Sequence, residues 1–349
     1  MSTKGAPTFL EGTEAMTLTR YVLAEQRRHK EAQGDLTLLL SAVQLACKVI
    51  ESCVRRAGIA KLYGLAGDTN VQGEEQKRLD VIANDTFKLN LVASEKCACL
   101  VSEEEECAVV VDPSVRGRYA VAFDPLDGSS NIDANVSIGT IFGIYRIDEP
   151  DKLNTPDDVN RHLLVSGRAL VAAGYAMYGS ATNLVFSTGE TVNGFTLDPS
   201  LGEFVLTHPD MKCPRRGSIY SINEGNCRDW SAAVKEYVHS IKFPEAGSGE
   251  KPRSLRYIGS MVADVHRTLL YGGIFMYPAD SKSKQGKLRY LYEAAPMAFL
   301  MEVAGGRATT GKQDILDVVP QGIHQRVPVF LGSAEDVEAF LAVAQRHEG

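Results

Sequence analysis

The sequence lacks the features of a membrane-spanning or a nucleic-acid-binding protein. Its 349 residues contain no uncharged apolar run near the roughly 18–20 residues that span a bilayer. Residues 1–10 show no charged region followed by an apolar one, so we predict no secretory signal. Lys and Arg number 37 against 44 Asp and Glu, whereas non-specific nucleic-acid binding needs a basic surface. We therefore expect neither a membrane nor a nucleic acid as a partner.

The sequence is also poor in the patterns of thiol- and histidine-based metal sites. Its seven cysteines are an odd number, and Cys97 and Cys99 stand too close together for a C-x-x-C pair. Its seven histidines form no H-x-x-x-H pair, so zinc is not expected. We predict reduced thiols in a reducing compartment and a cytoplasmic location. The C-terminal residues show no S-K-L-type address, and a peroxisome-like organelle stays open if this end is trimmed.

Apolar periodicity predicts a mixture of helices and strands along the whole chain. The predicted helices cover residues 36–54, 79–91, 229–241, 262–271 and 290–304, with a last helix opened by a capping box at Ser333–Asp336. The predicted strands cover residues 100–101, 108–111, 119–123, 136–145, 169–175, 182–188, 203–207 and 327–331, and residues 64–73 are predicted as a loop. A polar, Pro-containing segment near residue 208 predicts two domains, 1–208 and 209–349. Layers of sheet and helix are the expected α/β architecture.

Charge is distributed unevenly along the chain. Residues 68–133 hold fourteen acidic and six basic residues, a net charge of −8, whereas residues 250–290 carry a net charge of +5. Divalent cations beside a polyanionic substrate would suit this layout. Solvated faces that happen to cluster would explain it equally well, so the charge alone does not decide.

The densest polar motif is Asp-Pro-Leu-Asp-Gly-Ser-Ser-Asn, which begins at Asp124. Pro125 would set a tight turn across which Asp124 and Asp127 face one point. Residues 128–130 would then present backbone N–H groups to a phosphate at the start of a helix. Glu103 and Asp124 each follow an apolar strand, and carboxylates at neighbouring strand ends meet in a cleft. An ordinary Pro/Asp/Gly turn is the alternative explanation for this motif taken alone.

Oxygen ligands without Cys or His indicate Mg²⁺ or Mn²⁺, which suits metal-assisted phosphoryl transfer. Walker, G-x-G-x-x-G and kinase signatures are missing from the sequence, so water is the more plausible acceptor of the phosphoryl group. These residues therefore predict a phosphatase.

The same motif, with others, resembles class I fructose-1,6-bisphosphatases. The shared strings are residues 101–104 (Val-Ser-Glu-Glu), 124–133, 259–267 (Gly-Ser-Met-Val-Ala-Asp-Val-His-Arg), 286–289, 291–293 and 304–306. The resemblance runs from about residue 18 to the last helix and implies a two-domain αβαβα sandwich of the sugar phosphatase superfamily. It implies hydrolysis of the 1-phosphate of fructose 1,6-bisphosphate to fructose 6-phosphate and phosphate, as in gluconeogenesis.

The resemblance also implies roles for particular residues in an active site with two or more metal ions. The implied metal ligands are Glu74, Glu103, Asp124, Asp127, Glu293 and the carbonyl of Leu126. Asp80 and Glu104, beside Glu103, match the acids that orient or deprotonate the attacking water. The 1-phosphate would be held by Asp127, Gly128, Ser129 and Ser130, and the remainder of the substrate by Asn223, Arg256, Tyr257, Met261, Tyr277, Lys287 and Arg289.

Assembly and regulation are implied in the same way. Arg256 matches a residue that reaches into a neighbouring subunit's site, which implies a homotetramer. The inhibitor AMP would bind at Val22, Gly34, Leu36, Thr37, Arg118, Tyr119 and Arg146. Three positions depart from the family pattern: Glu74 replaces Asp, Asn226 replaces Tyr, and Gln33 replaces Thr in the AMP loop. The last departure bears most on AMP inhibition.

Two alternatives stay open at this point. A related lithium-sensitive phosphatase would act on inositol phosphates or on sedoheptulose bisphosphate, but those inositol enzymes usually have Asp-Pro-Ile-Asp-Gly-Thr and lack the basic segment 250–290. A regulator that binds sugar phosphates without turnover would use the same residues.

Overall fold

The computed structural model describes residues 15–28, 34–60, 62, 64–69 and 75–348. Within these residues the α-helices are α1 (Leu18–Gln26), α2 (Asp35–Arg56), α3 (Arg78–Ala93), α4 (Pro156–Leu163), α5 (Ala232–Lys242), α6 (Met261–Tyr271), α7 (Ala295–Val303) and α8 (Ala334–Glu348). The strands of the first half are β1 (Leu65–Thr69), β2 (Glu75–Lys77), β3 (Cys97–Ser102), β4 (Val109–Val110), β5 (Tyr119–Asp127), β6 (Ile138–Arg146), β7 (Leu170–Tyr178), β8 (Thr182–Ser187), β9 (Val192–Asp198) and β10 (Glu203–His208). Those of the second half are β11 (Ile219–Ser221), β12 (Ser254–Leu255), β13 (Ile274–Tyr277), β14 (Leu288–Arg289), β15 (Arg307–Thr309), β16 (Arg326–Val327) and β17 (Val329–Gly332).

The larger sheet has eight strands in the order β10-β9-β8-β7-β6-β5-β3-β4. Its neighbours pair antiparallel except for β3 and β5, which run parallel. The smaller sheet has five strands in the order β12-β11-β13-β17-β15. Because β3 and β5 are parallel, their carboxyl ends lie side by side, and the acidic residues follow there.

Alternating side chains divide the two sheets among three hydrophobic cores. In β5, Val121 and Phe123 face the core shared with α1, α2 and α3, whereas Ala120 and Ala122 face the core shared with α6 and α7. The side chains of β13 alternate in the same way: Phe275 faces the core with α6 and α7, whereas Ile274 and Met276 face a third core with α5 and α8. The layers are therefore helix, sheet, helix, sheet and helix, which confirms the predicted αβαβα sandwich.

Helix α2 is the one candidate membrane span in the described part of the chain, by length and composition alone. Its buried side chains, Leu39, Val43, Cys47 and Ile50 among them, lie in the core with α3 and the larger sheet. A buried core helix meets the same criterion, so this feature is weak evidence for a membrane.

Four local predictions were wrong. Residues 64–73, predicted as a loop, include strand β1, which pairs antiparallel with β2. Strand β9 was not predicted, and the 290–304 helix begins as a π-helix, Tyr290–Ala294, before α7. Ser333 does not form a capping box, since its hydroxyl donates to the carbonyl of Pro214 at 2.6 Å and accepts from Gly273 N–H at 2.9 Å. The domain boundary between residues 208 and 209 stays a prediction.

Candidate active site

The carboxyl ends of β3 and β5 bring the predicted acidic residues together. Ser102 of β3 pairs in register with Phe123 of β5, and Glu103 and Asp124 are the next residues along each strand. The backbone N–H of Glu103 donates to the carbonyl of Phe123 at 3.2 Å, which extends the pairing by one step. Both carboxylates are buried, at 7% and 2% exposure. The predicted convergence at neighbouring strand ends is confirmed.

A β-bulge, rather than the predicted tight turn, lets Asp124 and Asp127 face the same cleft. Asp124 is paired with Ile141 and Asp127 with Gly139, so β5 has one residue more than β6 between them. Pro125 has no N–H to offer the ladder and sits in this bulge, where its carbonyl accepts from the Thr140 hydroxyl at 2.8 Å.

The carboxylates of Asp124, Asp127 and Glu293 form a buried cluster whose nearest oxygen atoms all lie within 4.8 Å of one another. Burial, together with the neighbouring carboxylates, raises the pKa of Asp124 well above its usual value. Burial raises the pKa of Asp127 to about 6 and that of Glu293 to about 8. Such crowding of like charges disfavours ionisation until a cation neutralises it, and oxygen donors of this kind suit a hard divalent cation.

Glu293 and Glu103 are both held by Arg289. The Arg289 backbone N–H donates to a Glu293 carboxylate oxygen at 2.5 Å, and its guanidinium lies 2.8 Å from Glu103. The π-helix that begins at residue 290 directs Glu293 back toward this arginine. Arg289 thus lies between two carboxylates and is itself buried, which is a more interior position than a purely substrate-binding role requires.

Asp80 and Glu104 face the cleft beside this cluster. Asp80, in the first turn of α3, is buried and accepts the backbone N–H of Lys77 at 2.7 Å. Burial raises the pKa of Asp80 to about 7, and the nearby charge of Glu104 adds to this effect. The two acids are therefore close enough for their charges to interact.

Gly128 turns the chain sharply away from β5 into a short 3-10 helix, Ser129–Ala134. Its φ of 76° is left-handed, and a Cβ atom there would lie 3.1 Å from the Cβ atom of Ser260. Glycine is favoured on both counts. The first N–H groups of a helical turn have no acceptor within that turn, and Gly128, Ser129 and Ser130 line the cleft.

These residues line one cleft of about 510 Å³ between the two halves of the chain. Of the predicted site residues, it brings together Asp80, Glu103, Glu104, Asp124, Leu126, Asp127, Gly128, Ser129, Ser130, Tyr257, Met261, Tyr277, Lys287, Arg289 and Glu293. Tyr257 and Tyr277 lie close together, and burial raises the pKa of Tyr257 to about 12. Besides the acidic cluster, the cleft is therefore lined by these two tyrosines and by Lys287.

Two predicted substrate-binding residues, Asn223 and Arg256, lie outside this cleft. Asn223 and Asn226 line a small neighbouring pocket that shares Tyr277 with the cleft. Arg256 is exposed, and its guanidinium donates to the carbonyl of Leu255 at 2.8 Å, outside the cleft of its own chain. Glu74 and Gln33 lie outside the described residues.

The residues predicted for AMP meet around the N-terminus of α2. Tyr119 pairs in register with Arg146 across β5 and β6, and the charge of Asp35 acts on the Tyr119 hydroxyl together with those of Arg118 and Arg146. Gly34 begins α2 with φ of 88°, and the Thr37 hydroxyl donates to Gln26 of α1 at 2.7 Å. Leu36 is half-buried in the first turn of α2, and Val22 is buried in α1.

Sequence reasoning missed several residues of the site. Lys77 lines the cleft, and its ammonium pairs with Asp133 at 2.8 Å. Asp264 is fully buried and accepts the N–H groups of Ile258 and Gly259, which fixes the loop that carries Tyr257. The sequence feature that could have indicated Asp264 is an acidic residue in the first turn of a largely apolar helix. An acidic residue that is buried at such a position usually has partners that support the local structure.

Asp127 joins the two halves of the chain directly. Its carboxylate accepts the Ser260 hydroxyl at 3.1 Å and the Val262 backbone N–H at 2.9 Å. His266, on the same helix as Val262, forms a hydrogen bond through Nδ1 with the Tyr175 hydroxyl at 2.7 Å. This contact is typical of a histidine with a structural role.

A buried carboxylate cluster, an N–H cradle and a lysine in one cleft are typical of phosphatases that use divalent cations. Comparison with known families specifies this class further. Residues 16–209 match the family model "Fructose-1-6-bisphosphatase, N-terminal domain", and residues 213–345 match "Fructose-1-6-bisphosphatase, C-terminal domain". The chain belongs to the fructose-1,6-bisphosphatase family, whose members depend on metal ions.

Individual relatives agree with this assignment. The chain is 62% identical over 326 residues to the cytosolic fructose-1,6-bisphosphatase of Oryza coarctata, covering 93% of both chains. It is 60% identical over 336 residues to the cytosolic enzyme of Arabidopsis thaliana, covering 96% of both. A crystal structure of Leishmania major fructose-1,6-bisphosphatase in holo form is similar with a TM-score of 0.91, at 47% identity, covering 95% of this chain and 100% of that one. The names of these plant relatives agree with the predicted cytoplasmic location.

Proposed function

We propose that this protein hydrolyses the 1-phosphate ester of fructose 1,6-bisphosphate, releasing fructose 6-phosphate and phosphate. One observation carries the proposal: the buried cluster of Asp124, Asp127 and Glu293 lies in the same cleft as the Gly128 turn and as Lys287. The cluster suits divalent cations, the turn suits the phosphate that is cleaved, and Lys287 suits a second phosphate. A substrate with two phosphates would span these elements.

Mg²⁺ or Mn²⁺, two or more ions per site, is the proposed cofactor. Asp124, Asp127 and Glu293 would hold the ions together with Glu103 and the Leu126 carbonyl, and Glu74 is proposed from the resemblance alone. Bound cations would neutralise phosphoryl oxygens, acidify a water molecule and stabilise the leaving alkoxide. The raised pKa values of Asp127 and Glu293 support this fit, because burial and the neighbouring carboxylates disfavour ionisation of both groups, and the nearby Arg289 does not offset this for Glu293.

The chain's own groups divide the remaining chemistry. Asp80 and Glu104 would orient the attacking water and accept its proton, and a pKa of about 7 for Asp80 suits proton transfer near neutral pH. The N–H groups and hydroxyls of Ser129 and Ser130 would bind oxygens of the 1-phosphate. These donors are fixed before the substrate arrives, so little reorganisation accompanies the reaction.

A second group of cleft residues would select the sugar and its 6-phosphate. Tyr257, Tyr277 and Lys287 would contact this end, with Met261 beneath the sugar and Asn223 approaching from the adjoining pocket. Arg289, paired with Glu103, would act mainly by holding the acidic cluster in place.

Substrate preference tests the proposal. Phosphate release is measured with fructose 1,6-bisphosphate, sedoheptulose bisphosphate and inositol monophosphate, each with Mg²⁺, with Mn²⁺ and with a chelator. We expect turnover of fructose 1,6-bisphosphate with either cation, one fructose 6-phosphate for each phosphate, and none with the chelator. Preference for the inositol ester would assign the chain to a related phosphatase instead. Binding of the sugar without phosphate release would assign it to a non-catalytic regulator.

A homotetramer that shares Arg256 between subunits is proposed as the assembly. The support is that Arg256 is exposed and lies outside its own cleft, flanked by the partly exposed apolar residues Leu255 and Ile258. Light scattering measures the assembly, and subunit mixing tests the sharing. Inactive Asp127→Ala subunits should restore a low KM to Arg256→Ala subunits in mixed tetramers, and a monomer would contradict the proposal.

AMP is proposed as an inhibitor that binds at the N-terminus of α2. The support is the meeting of the α2 N-terminus with the cationic Arg118 and Arg146, both exposed, because a phosphate favours such N–H groups and positive charge. Inhibition by AMP, measured at saturating cation, would test this binding.

A further inference from the structure

Helix α3 carries a polar stripe that faces the turn following β3. Asp80, Asn84 and Lys88 are four residues apart, so they lie on one side of the helix. Asp80 lines the cleft, whereas Asn84 and Lys88 contact the turn formed by residues 102–105. This polar stripe therefore connects one proposed proton acceptor with the turn that carries the other, Glu104.

Asn84 is the central contact of this connection. Its amide oxygen accepts the Ser102 hydroxyl at 2.7 Å, and its amide nitrogen donates to the Glu105 carboxylate at 2.8 Å. The Ser102 hydroxyl in turn accepts the backbone N–H of Glu104 at 3.2 Å. Asn84 and Ser102 are buried, at 6% and 1% exposure, so the bond between them is shielded from water.

Glu105 is fixed from the same side. Lys88 pairs with the Glu105 carboxylate that accepts from Asn84, and these contacts lower the pKa of Glu105. Through these two contacts Glu105 anchors the turn. The turn is therefore held at Ser102 and Glu105, on both sides of Glu104.

We propose that Asn84 is a positioning residue that sets Glu104 relative to Asp80. Asn84 is not among the residues that line the cleft, and it acts by holding the 102–105 turn against the helix that carries Asp80. The inference rests on the proposed phosphatase function. Because misplacing a reacting group by about 1 Å can cost about 10²-fold in rate, loss of this clamp should lower kcat.

The first test separates kcat from KM. Asn84→Ala should lower kcat by about tenfold to a hundredfold, while KM for fructose 1,6-bisphosphate and the cation concentration for half-activation change less than about threefold. Asn90→Ala is the matched control, since Asn90 lies on the same helix and donates to the Thr86 carbonyl at 2.8 Å, away from the cleft. That control should keep the wild-type kcat.

The second test is a double-mutant cycle with Glu104→Gln. If Asn84 acts by placing Glu104, Asn84→Ala should cost less than about threefold in the Glu104→Gln background, whereas a merely structural role would give the same loss in both backgrounds. Ser102→Ala removes the β3 partner of Asn84 and should behave in the same way. It supplies the test if Asn84→Ala folds poorly.

The outcomes distinguish the proposed phosphatase function from the proposed positioning role of Asn84. Wild-type turnover of fructose 1,6-bisphosphate establishes the proposed function whatever the variants do. An unchanged kcat in Asn84→Ala, or an equal loss in both backgrounds, overturns the positioning role alone.

Discussion

Glu293→Gln should stabilise the metal-free protein while it abolishes activity. Glu293 is 2% exposed and lies within a cluster of carboxylates, which raises its pKa from 4.5 to about 8. Glutamine has nearly the same shape, keeps an oxygen for the Arg289 N–H and carries no charge. The substitution therefore removes a repulsion without opening a cavity.

The magnitude follows from the pKa of Glu293. At roughly 1.4 kcal/mol for each tenfold change in proton affinity, ionising this group at pH 8 costs the folded, metal-free protein roughly 5 kcal/mol. Asp124 and Asp127 share the repulsion, so we expect a net gain of about 2–3 kcal/mol in Glu293→Gln. This gain corresponds to roughly 3–4 °C in the unfolding midpoint of a chain of this length.

The sign of the pH dependence is fixed by the same shift. The folded-state pKa of Glu293 lies above its unfolded value, so between pH about 4.5 and about 8 the folded state binds more protons. Stability of the metal-free wild type should therefore fall as the pH rises through this window. At pH 5.5 the wild-type group is neutral, and the two proteins should differ little.

Thermal unfolding with a chelator at pH 5.5 and pH 8, repeated with Mg²⁺ at pH 8, measures these effects. Mg²⁺ should raise the midpoint of the wild type much more than that of Glu293→Gln, and phosphate release by the variant should be lost. Glu245→Gln, at an exposed position, is the control that should match the wild type throughout. Equal destabilisation of Glu293→Gln at both pH values, or full stabilisation of it by Mg²⁺, would refute the reasoning.

Three further variants test other parts of the site. Asp127→Ala should lower kcat at least about 10²-fold, since it removes a proposed cation ligand, and unchanged turnover would contradict that assignment. Arg256→Ala should mainly raise KM for fructose 1,6-bisphosphate, and an effect on kcat alone would count against a substrate-binding role. Arg118→Ala should raise the AMP concentration for half-inhibition about tenfold or more, because a charged hydrogen bond to AMP is lost. The kcat without AMP should not change. Steady-state kinetics measures all three.

Exposed residues supply matched controls for two of these variants. Asp151→Ala should keep the wild-type kcat, since Asp151 is exposed and follows the end of β6 that pairs with the start of β5, at the opposite end of that strand from Asp127. Arg56→Ala removes a cation at the other end of α2 and should leave AMP inhibition unchanged. A loss of AMP inhibition in both arginine variants would indicate a general charge effect.

Much of the architecture could be predicted because it depends on local periodicity. The helix after Asp35 and the buried strands around Phe123 and Phe330 follow from the spacing of apolar residues, and so does the meeting of Glu103 with Asp124 at neighbouring strand ends. What the local pattern could not indicate was competition for hydrogen bonds. The Ser333 hydroxyl bonds to Pro214, which is 119 residues away, instead of capping its own helix.

The candidate site was also predictable only where it depends on local sequence. The motif at Asp124–Asn131 identified the acids and the Gly128 turn, but the bulge that aims Asp127 depends on the register of β6. Asn84 gave no signal, because an asparagine within a helix is common and its partners, Ser102 and Glu105, are 18 and 21 residues away. Residues that act through distant partners require the fold.

The bonds from Asp127 to Ser260 and Val262 have a consequence for the synthesis of the chain. Their donors follow Asp127 by 133 and 135 residues, and one of them opens helix α6. During translation the acidic half leaves the ribosome long before the groups that complete its cleft. The nascent chain therefore carries the Gly128 turn, which is proposed to bind phosphate, and the acidic residues that follow β3 and end β5, but not yet Glu293. Hydrolytic capacity arises only once the second half has folded against the first.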